Sequence, residues 1–363
     1  MYQTPVAIVG GGLAGLTAAR RLHDAGLAAM VLEARPTLGG RIDSLVDDHG
    51  RCRGDLGPSW IWPPFQPVVQ QWLDHLSLAV FDQYESGDAI LDGFAPQPVR
   101  RPLPGQYGMA RVVGGQAQFI RAMSAPLPDA HLLTDTPVEA VETTEDGKLR
   151  LWVNGRPTVS AEQVVLAAPL RIIHAHIDLP AALTPQLADT LASTPTWMAA
   201  QAKVVVQYDR PFWRSMGLSG RVASRTGPLF EVHDHSFGDD AAALFGFIAT
   251  PPGQRHEEGL REAIIEQLER CFGPPAAAPV SLTIRDWATD PWICAEADLT
   301  GPVEHPRVAS NQLRQGHLDD RLWFCSAETA TQSPGLIEGA LSAGDSTANA
   351  ILQAREANRL RVG

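Results

Sequence analysis

The residues of this 363-residue chain whose types and spacing suit chemistry are a glycine cluster, acids that close apolar runs, and one lysine set inside an apolar run. Gly10-Gly11-Gly12-Leu13-Ala14-Gly15 follows directly on Val6-Ala7-Ile8-Val9 and leads into Leu16-Thr17-Ala18-Ala19-Arg20-Arg21-Leu22. Read as strand, turn and helix, Gly10 permits the tight turn and Gly12 lets the backbone approach a pyrophosphate. Gly15 lets the helix pack closely on the strand, and the helix N-terminus offers free N–H groups to phosphate charge. Glu33 closes a second apolar run, Ala29-Met30-Val31-Leu32, near the roughly 20-residue offset at which a carboxylate accepts ribose hydroxyls and repels a 2′-phosphate. The spacing predicts a bound dinucleotide. The alternative is a glycine turn of an unrelated α/β protein with Glu33 in solvent.

Lysine is scarce, with Lys148 and Lys203 the two among 29 Lys and Arg residues. Lys148 follows Glu145-Asp146-Gly147 and reads as a solvated hairpin residue. Lys203 stands in Gln201-Ala202-Lys203-Val204-Val205-Val206-Gln207-Tyr208, a strand-like run in which an ammonium needs an acceptor or water. The plainer alternative is an edge-strand lysine whose stem covers apolar surface while its head reaches solvent.

These groups must be carried by ordinary globular elements. The chain is 44% hydrophobic and 19% charged, so it is neither disordered nor fibrous, and its length allows two domains or one composite. The net charge of −12 and the absence of basic runs argue against nucleic acid or an anionic membrane surface as partner. Cys52, Cys271, Cys294 and Cys325 are scattered, which suggests neither a zinc site nor a disulfide framework. No apolar stretch has the roughly 20 residues of a membrane span, and no leader pattern precedes the first strand, so a cytoplasmic protein is expected. His174 and His176, like His233 and His235, are i, i+2 pairs that would share a face on a strand. Without a third ligand at sensible spacing, no metal is expected.

Directly after Glu33 comes Ala34-Arg35-Pro36-Thr37-Leu38-Gly39-Gly40-Arg41, a second glycine pair and an arginine able to clamp the same diphosphate. Here the sequence resembles the flavin-dependent amine oxidase family, whose E-A-x-x-x-x-G-G-R segment holds FAD. Asp55-Leu56-Gly57-Pro58-Ser59-Trp60 resembles its D-L-G-x-x-[YW] segment beside the flavin, and Val112-Val113-Gly114-Gly115 its V-G-G turn. Thr136-Pro137-Val138-Glu139-Ala140-Val141 resembles the strand that meets the adenine, and Val164-Val165-Leu166-Ala167-Ala168-Pro169 the strand and turn that leave the FAD domain. Cys325-Ser326-Ala327-Glu328 and Leu336-Ile337-Glu338-Gly339-Ala340 resemble the C-terminal flavin-facing segments.

The resemblance implies an α/β protein of the GR2-type flavoprotein class: a Rossmann-like FAD-binding domain with a smaller, discontinuous α+β substrate domain. The expected boundaries are 1–75, 107–175 and 318–363 for the first and 76–106 with 176–317 for the second. The Pro-rich stretches Pro96 to Pro104 and Gly273 to Pro279 read as loops near those boundaries. Besides the glycines and Glu33, the resemblance implies that Ala34, Arg35, Gly40 and Arg41 touch FAD, as do Gly57, Ser59, Val138, Glu328, Leu336 and Ile337. A K-x-x-x-x-[YF]-x-x-P-F-W run gives Lys203 the catalytic role of holding a water at flavin N5, stabilising the reduced flavin and assisting its reoxidation.

The sequence departs from the family where two aromatic rings usually enclose the amine, for Leu336 and Ala297 fall at those positions. Trp60, Trp213 and Trp292, with Leu336, are expected to line the substrate pocket, and Trp62 and Trp287 lie in neighbouring segments. The position aligned with covalent flavin attachment, near Glu296, has no cysteine, so noncovalent FAD is expected. The chain is also short for the family, with Trp60 and Gly114 close in sequence, which suggests a reduced roof. The expected reaction is oxidation of an amine C–N bond, with oxygen as acceptor and hydrogen peroxide as product. Two alternatives stay open: a renalase-like or desaturase-like oxidase of a dihydronicotinamide or cyclic substrate, and a non-catalytic FAD-binding protein.

Overall fold

The computed structural model describes residues 1–238, 241–255, 257–300 and 305–362. Its first sheet runs in the order Val138–Thr143, Leu149–Val153, Arg156–Leu166, Tyr2–Val9, Ala29–Leu32 and Leu132–Leu133, and Leu322–Phe324 joins Arg156–Leu166 in parallel. Val6, Ala7 and Ile8 are consecutive and fully buried because both faces of that central strand are covered. Val6 and Ile8 pack with the helix Leu13–Asp24 and the long helix Ile337–Val362, whereas Ala7 and Val9 pack toward the antiparallel strands around Val141 and Leu151.

Four parallel strands of this sheet, ending at Val9, Leu32, Leu166 and Phe324, stop in register. The segments that follow them therefore share one rim: Gly10 to Gly12, Glu33, Ala167 to Pro169, and Cys325 to Glu328. A crevice at the carboxyl ends of parallel strands is where open α/β sheets take their ligands.

The second sheet has the order Ser281–Asp286, Ala202–Tyr208, Ala242–Ile248, Leu229–Asp234, Leu218–Ser224, Asp88–Asp92 and Val99–Arg101. The strand Ala202–Tyr208 is paired on both sides. Side chains alternate along it. Val204 and Val206 pack with Leu260, Ile264 and Leu268 of the helix Glu257–Phe272, while Val205 packs with Leu56, Phe245 and Trp60. Lys203 shares the parity of Val205, so the pleat alone turns it toward the first sheet's unit.

Two local expectations are corrected. The Pro96 to Pro104 stretch contains the strand Val99–Arg101, which forms one end of the second sheet; the prolines at 96, 98, 102 and 104 flank this three-residue strand and do not interrupt its pairing. His174 and His176 lie on the helix Leu170–His176, where i, i+2 residues face apart. Lys148 is a partly exposed turn residue beside Asp146, as expected.

Candidate active site

The rim of the first sheet opens into two chambers that share Gly12, Gly40 and the turn Ala167-Ala168-Pro169 as walls. The narrower, about 70 Å³, is lined by Gly10, Glu33, Ala34, Arg35 and Val138. The wider, about 350 Å³, is lined by Arg41, Gly57, Ser59, Trp60, Lys203, Leu336 and Ile337, among others.

The narrow end is built from backbone donors around one acid. Glu33 is buried, and its Oε2 accepts the Gly11 N–H at 2.7 Å while Oε1 accepts the Arg35 N–H at 3.0 Å. Arg35 is held in turn by the Gly40 carbonyl at 2.6 Å and by Asp290 at 3.2 Å. Between the chambers the two glycine turns meet: Gly40 adopts φ +60°, and a Cβ on it would stand 3.0 Å from the Gly12 Cα. A side chain at either place would fill the passage. The helix Leu13–Asp24 begins there with Gly12 as its cap, no side-chain hydrogen bond at that end and no acid in its first turn. Its N–H groups are left for an anion.

Arg41 and Glu328, from opposite ends of the chain, form a bidentate pair with bonds of 2.6 and 2.9 Å, and Glu328 also accepts the Trp197 N–H at 3.3 Å. Both Glu328 oxygens are thus engaged by protein, and Glu328 is not among the residues lining either chamber. The neighbouring Ser326 Oγ lines the chamber, is buried, and has no hydrogen-bond partner among the described residues. A glycine-lined passage, an uncapped helix end, an orphaned hydroxyl and a ribose-type acid together fit a dinucleotide cofactor threaded through both chambers.

At the wide end Lys203 is 2% exposed. Its Nζ donates to the Gly57 carbonyl at 2.8 Å and to the Ser59 Oγ, and it lies 4.1 Å from the centroid of the Phe245 ring. The edge-strand alternative does not hold. Burial pulls the Lys203 ammonium down to about 7, the Asp55 carboxylate opposes that fall, and the Arg111 guanidinium reinforces it.

The chain belongs to the flavin-containing amine oxidoreductases. The sequence profile of that family, "Flavin containing amine oxidoreductase", matches residues 94–352, and a profile of NAD(P)-binding Rossmann-like domains matches residues 8–76. Similar proteins include a probable flavin-containing monoamine oxidase A of Dictyostelium discoideum, 22% identical over 93% of this chain and 95% of that protein. Another is the putrescine oxidase of Kocuria rosea, 25% identical over 96% of this chain and 95% of that protein. Those alignments run to 451 and 470 positions, longer than this chain, so it is a short member. The fold matches putrescine oxidase solved with putrescine at a TM-score of 0.81, 22% identity, and coverage of 97% of this chain and 99% of that one. Cyclohexylamine oxidase from Brevibacterium oxydans matches at 0.81 and 20% identity, covering 97% and 99%. As a member of this family the chain is an FAD-dependent oxidoreductase.

Within this family member, most of the residues expected at the cofactor line the two chambers. Glu328, turned to Arg41, and Gly15 do not: Gly15 packs the helix against the first strand, where a Cβ would lie 3.0 Å from the Ala167 Cβ and would overlap the Gly10 carbonyl. Of the residues expected at the substrate pocket, Trp60 and Leu336 line the wide chamber. Trp213 does not, because it is fully buried in the second sheet's core with its Nε1 bonded to Asp234 at 2.7 Å. Trp292 lines the narrow chamber beside His176, their ring centroids 5.5 Å apart, and so stands away from the wide one.

Positions 336 and 297 carry leucine and alanine, and aromatic rings reach the wide chamber from other segments. Trp62, Trp197, Phe247 and Trp287 also line the wide chamber. Phe247 and Trp197 carried no motif, although Phe247 is the register partner of Lys203 on the adjacent strand, a pairing that sequence separation conceals. Among the described residues no group of three or more metal-type ligands is assembled, and no helix is long and apolar enough to cross a membrane.

Proposed function

We propose that this chain binds FAD noncovalently along the two chambers and oxidises a primary amine with an apolar body, with oxygen as the electron acceptor. Bound there, FAD would supply the two-electron acceptor: loss of a hydride from the carbon next to nitrogen and of a proton from the nitrogen would leave an imine that water hydrolyses, and the two electrons with two protons would reduce oxygen to hydrogen peroxide. The protein's own work is positional. Glu33 accepts hydrogen bonds from a ribose, Arg41 and the helix start meet the diphosphate, and the apolar walls of the wide chamber exclude water from the reacting end. Lys203 holds a proton and a positive charge there, donating to water or to developing negative charge.

The observation that carries the substrate reading is the lining of the wide chamber. Trp60, Trp62, Trp197, Phe247 and Trp287 supply aromatic surface, and the charged lining residues are Arg41 and Lys203, with no carboxylate among the described ones. Aromatic faces receive an alkyl or aryl body and a single cationic or neutral nitrogen. A second ammonium would meet no acid there and would be stripped of water without compensation. We read the unit around the first sheet as the cofactor domain and that around the second as the substrate domain. The four free, scattered cysteines support a reducing compartment, the cytoplasm.

The test is anaerobic mixing of the flavin-loaded protein with benzylamine, phenethylamine, cyclohexylamine, putrescine, spermidine, amino acids and dihydronicotinamides, following loss of flavin absorbance. Bleaching by the apolar monoamines supports the reading, and bleaching by no amine overturns it. Leu336 on the chamber wall, where the family usually has a ring, favours a second reading with a dihydronicotinamide substrate, which the same panel separates.

A further inference from the structure

Behind the lysine lies a group of buried polar side chains that the proposed reaction does not use. Asp55 is 1% exposed, Arg111 1%, and Gln116 and His235 are fully buried. Asp55 Oδ1 accepts from Ser44 Oγ at 2.5 Å and from the Gln116 N–H at 2.9 Å. Gln116 Nε2 donates to the Ser59 carbonyl at 3.1 Å, and the Ser59 hydroxyl meets Lys203. Asp55 and the lysine are therefore joined through two residues, with no direct ion pair between them among the described contacts.

The other face of the carboxylate is left unsatisfied. The Asp55 N–H donates to His235 Nε2 at 2.7 Å, which makes that nitrogen an acceptor and puts the ring proton on Nδ1. His235 Nε2 therefore cannot donate to Asp55 Oδ2, which stands 3.8 Å away and has no hydrogen-bond partner. Burial pushes the Asp55 carboxyl up from its ordinary range, against the pull of Arg111, Ser44, Lys203 and the Gln116 N–H, so the acid and the lysine each bear on the other's proton.

We propose that Asp55 is a positioning residue for Lys203: its buried carboxylate, locked by Ser44 and Gln116, keeps the neighbouring lysine protonated at the reacting end of the chamber. The role of that proton in turnover rests on the function proposed above; the coupling between the two residues does not. The remaining charged and titratable groups around the lysine act in known directions. Arg111, from the strand Ala110–Val112, sits over Phe237 at 4.0 Å and opposes protonation of the lysine. Arg285, the register partner on Ser281–Asp286, is held by Asp290 at 2.6 Å. His235 is pushed well below its ordinary range by burial first and by Arg111 and Lys203 next, so it stays neutral; His233 is bonded to Glu231 at 2.7 Å. Phe245 and Phe247 face the lysine from the adjacent strand. Among the charged groups around the lysine, Asp55 is the one that raises its affinity for a proton, beside the Gly57 carbonyl, the Ser59 hydroxyl and the Phe245 ring that also meet the ammonium.

The chain's poverty in lysine makes a direct test available. In flavin-loaded protein labelled with nitrogen-15 on the lysine side chains, only Lys148 and Lys203 give amine resonances, and Lys148→Arg assigns them. The Lys203 midpoint is expected at about 7 in the parent protein. Asp55→Asn preserves the acceptor for Ser44 and Gln116 and should lower the midpoint by about one pH unit or more, whereas Arg111→Met should raise it by a similar amount. Opposite shifts are what a charge effect gives and a packing effect does not. An unchanged midpoint in Asp55→Asn, or shifts of the same sign in both variants, would overturn the proposal. If Asp55→Asn does not fold, carbon-13 titration of the Asp55 carboxyl in the parent protein decides: an acid already ionised at the Lys203 midpoint supports the proposal, and one still protonated there rejects it. Because no amine enters the measurement, failure of the amine panel and failure of this coupling are read separately.

Discussion

The Arg41 guanidinium meets the Glu328 carboxylate through two parallel bonds, Nη1 to Oε1 at 2.6 Å and Nη2 to Oε2 at 2.9 Å, across 287 positions of sequence. This contact ties the N-terminal glycine turn to the C-terminal segment that closes the chamber. Glu328 is 1% exposed, so removing its partner strands a buried charge. Arg41→Ala should destabilise the protein by about 3–5 kcal/mol and weaken FAD, whereas Glu328→Gln, which leaves no charge behind, should cost less. Urea denaturation of both variants measures this, and equal losses would contradict it.

Glu33 holds two backbone N–H groups and lines the nucleotide end. Glu33→Gln keeps the shape and loses the charge-assisted bonds, so FAD affinity should fall by about 1–3 kcal/mol with little change in the rate of the loaded enzyme. Fluorescence titration of cofactor-stripped protein gives the affinity. A normal affinity would remove Glu33 from the site.

Lys203→Met should bind FAD normally, because among the described residues the hydrogen bonds of Lys203 go to Gly57 and Ser59 at the far end of the slot. Reoxidation by oxygen should slow on the order of 10²-fold, as when one preorganised donor is lost. Stopped-flow mixing of the reduced variant with oxygen tests it. An unchanged rate would leave the lysine without its assigned role.

The same lysine predicts a pH dependence of stability. Its folded value of about 7 lies below the ordinary 10.5. Between those values the unfolded chain binds more protons than the folded one, so this group makes stability rise with pH across that window. The cost of burying the ammonium is greatest below it. Lys203→Met should therefore gain more stability over the parent at pH 6 than at pH 10. Denaturation curves at the two pH values give the difference, and equal gains would show that burial does not shift the lysine.

Cys294, the cysteine nearest the expected attachment position, packs with Ala199, Trp287 and Ile293, and its thiol donates to the Ala295 carbonyl at 3.7 Å. It is not among the residues lining either chamber. Acid precipitation should release all the flavin into the supernatant; yellow colour left in the pellet would reveal a covalent link.

Chemistry carried by contiguous residues could be read from the sequence alone. The Val6 to Leu22 strand, turn and helix needs glycine at fixed offsets, and Glu33 must close the next strand, so both follow from local rules of backbone freedom and periodicity. The Lys203 run likewise showed its strand and its apolar setting. The tertiary structure decided which face of that strand looks into the chamber, that Trp213 belongs to a core and Trp292 to the narrow chamber, and that Phe247 and Trp197 bring aromatic surface to the wide one. It also decided the meeting of Arg41 with Glu328 and of Asp55 with Gln116 and His235. Those contacts join residues tens to hundreds of positions apart, and a hydrophobic pattern fixes only that a side chain is buried. Which neighbour it is buried against depends on sheet order and register, and these are set by the packing of the whole chain.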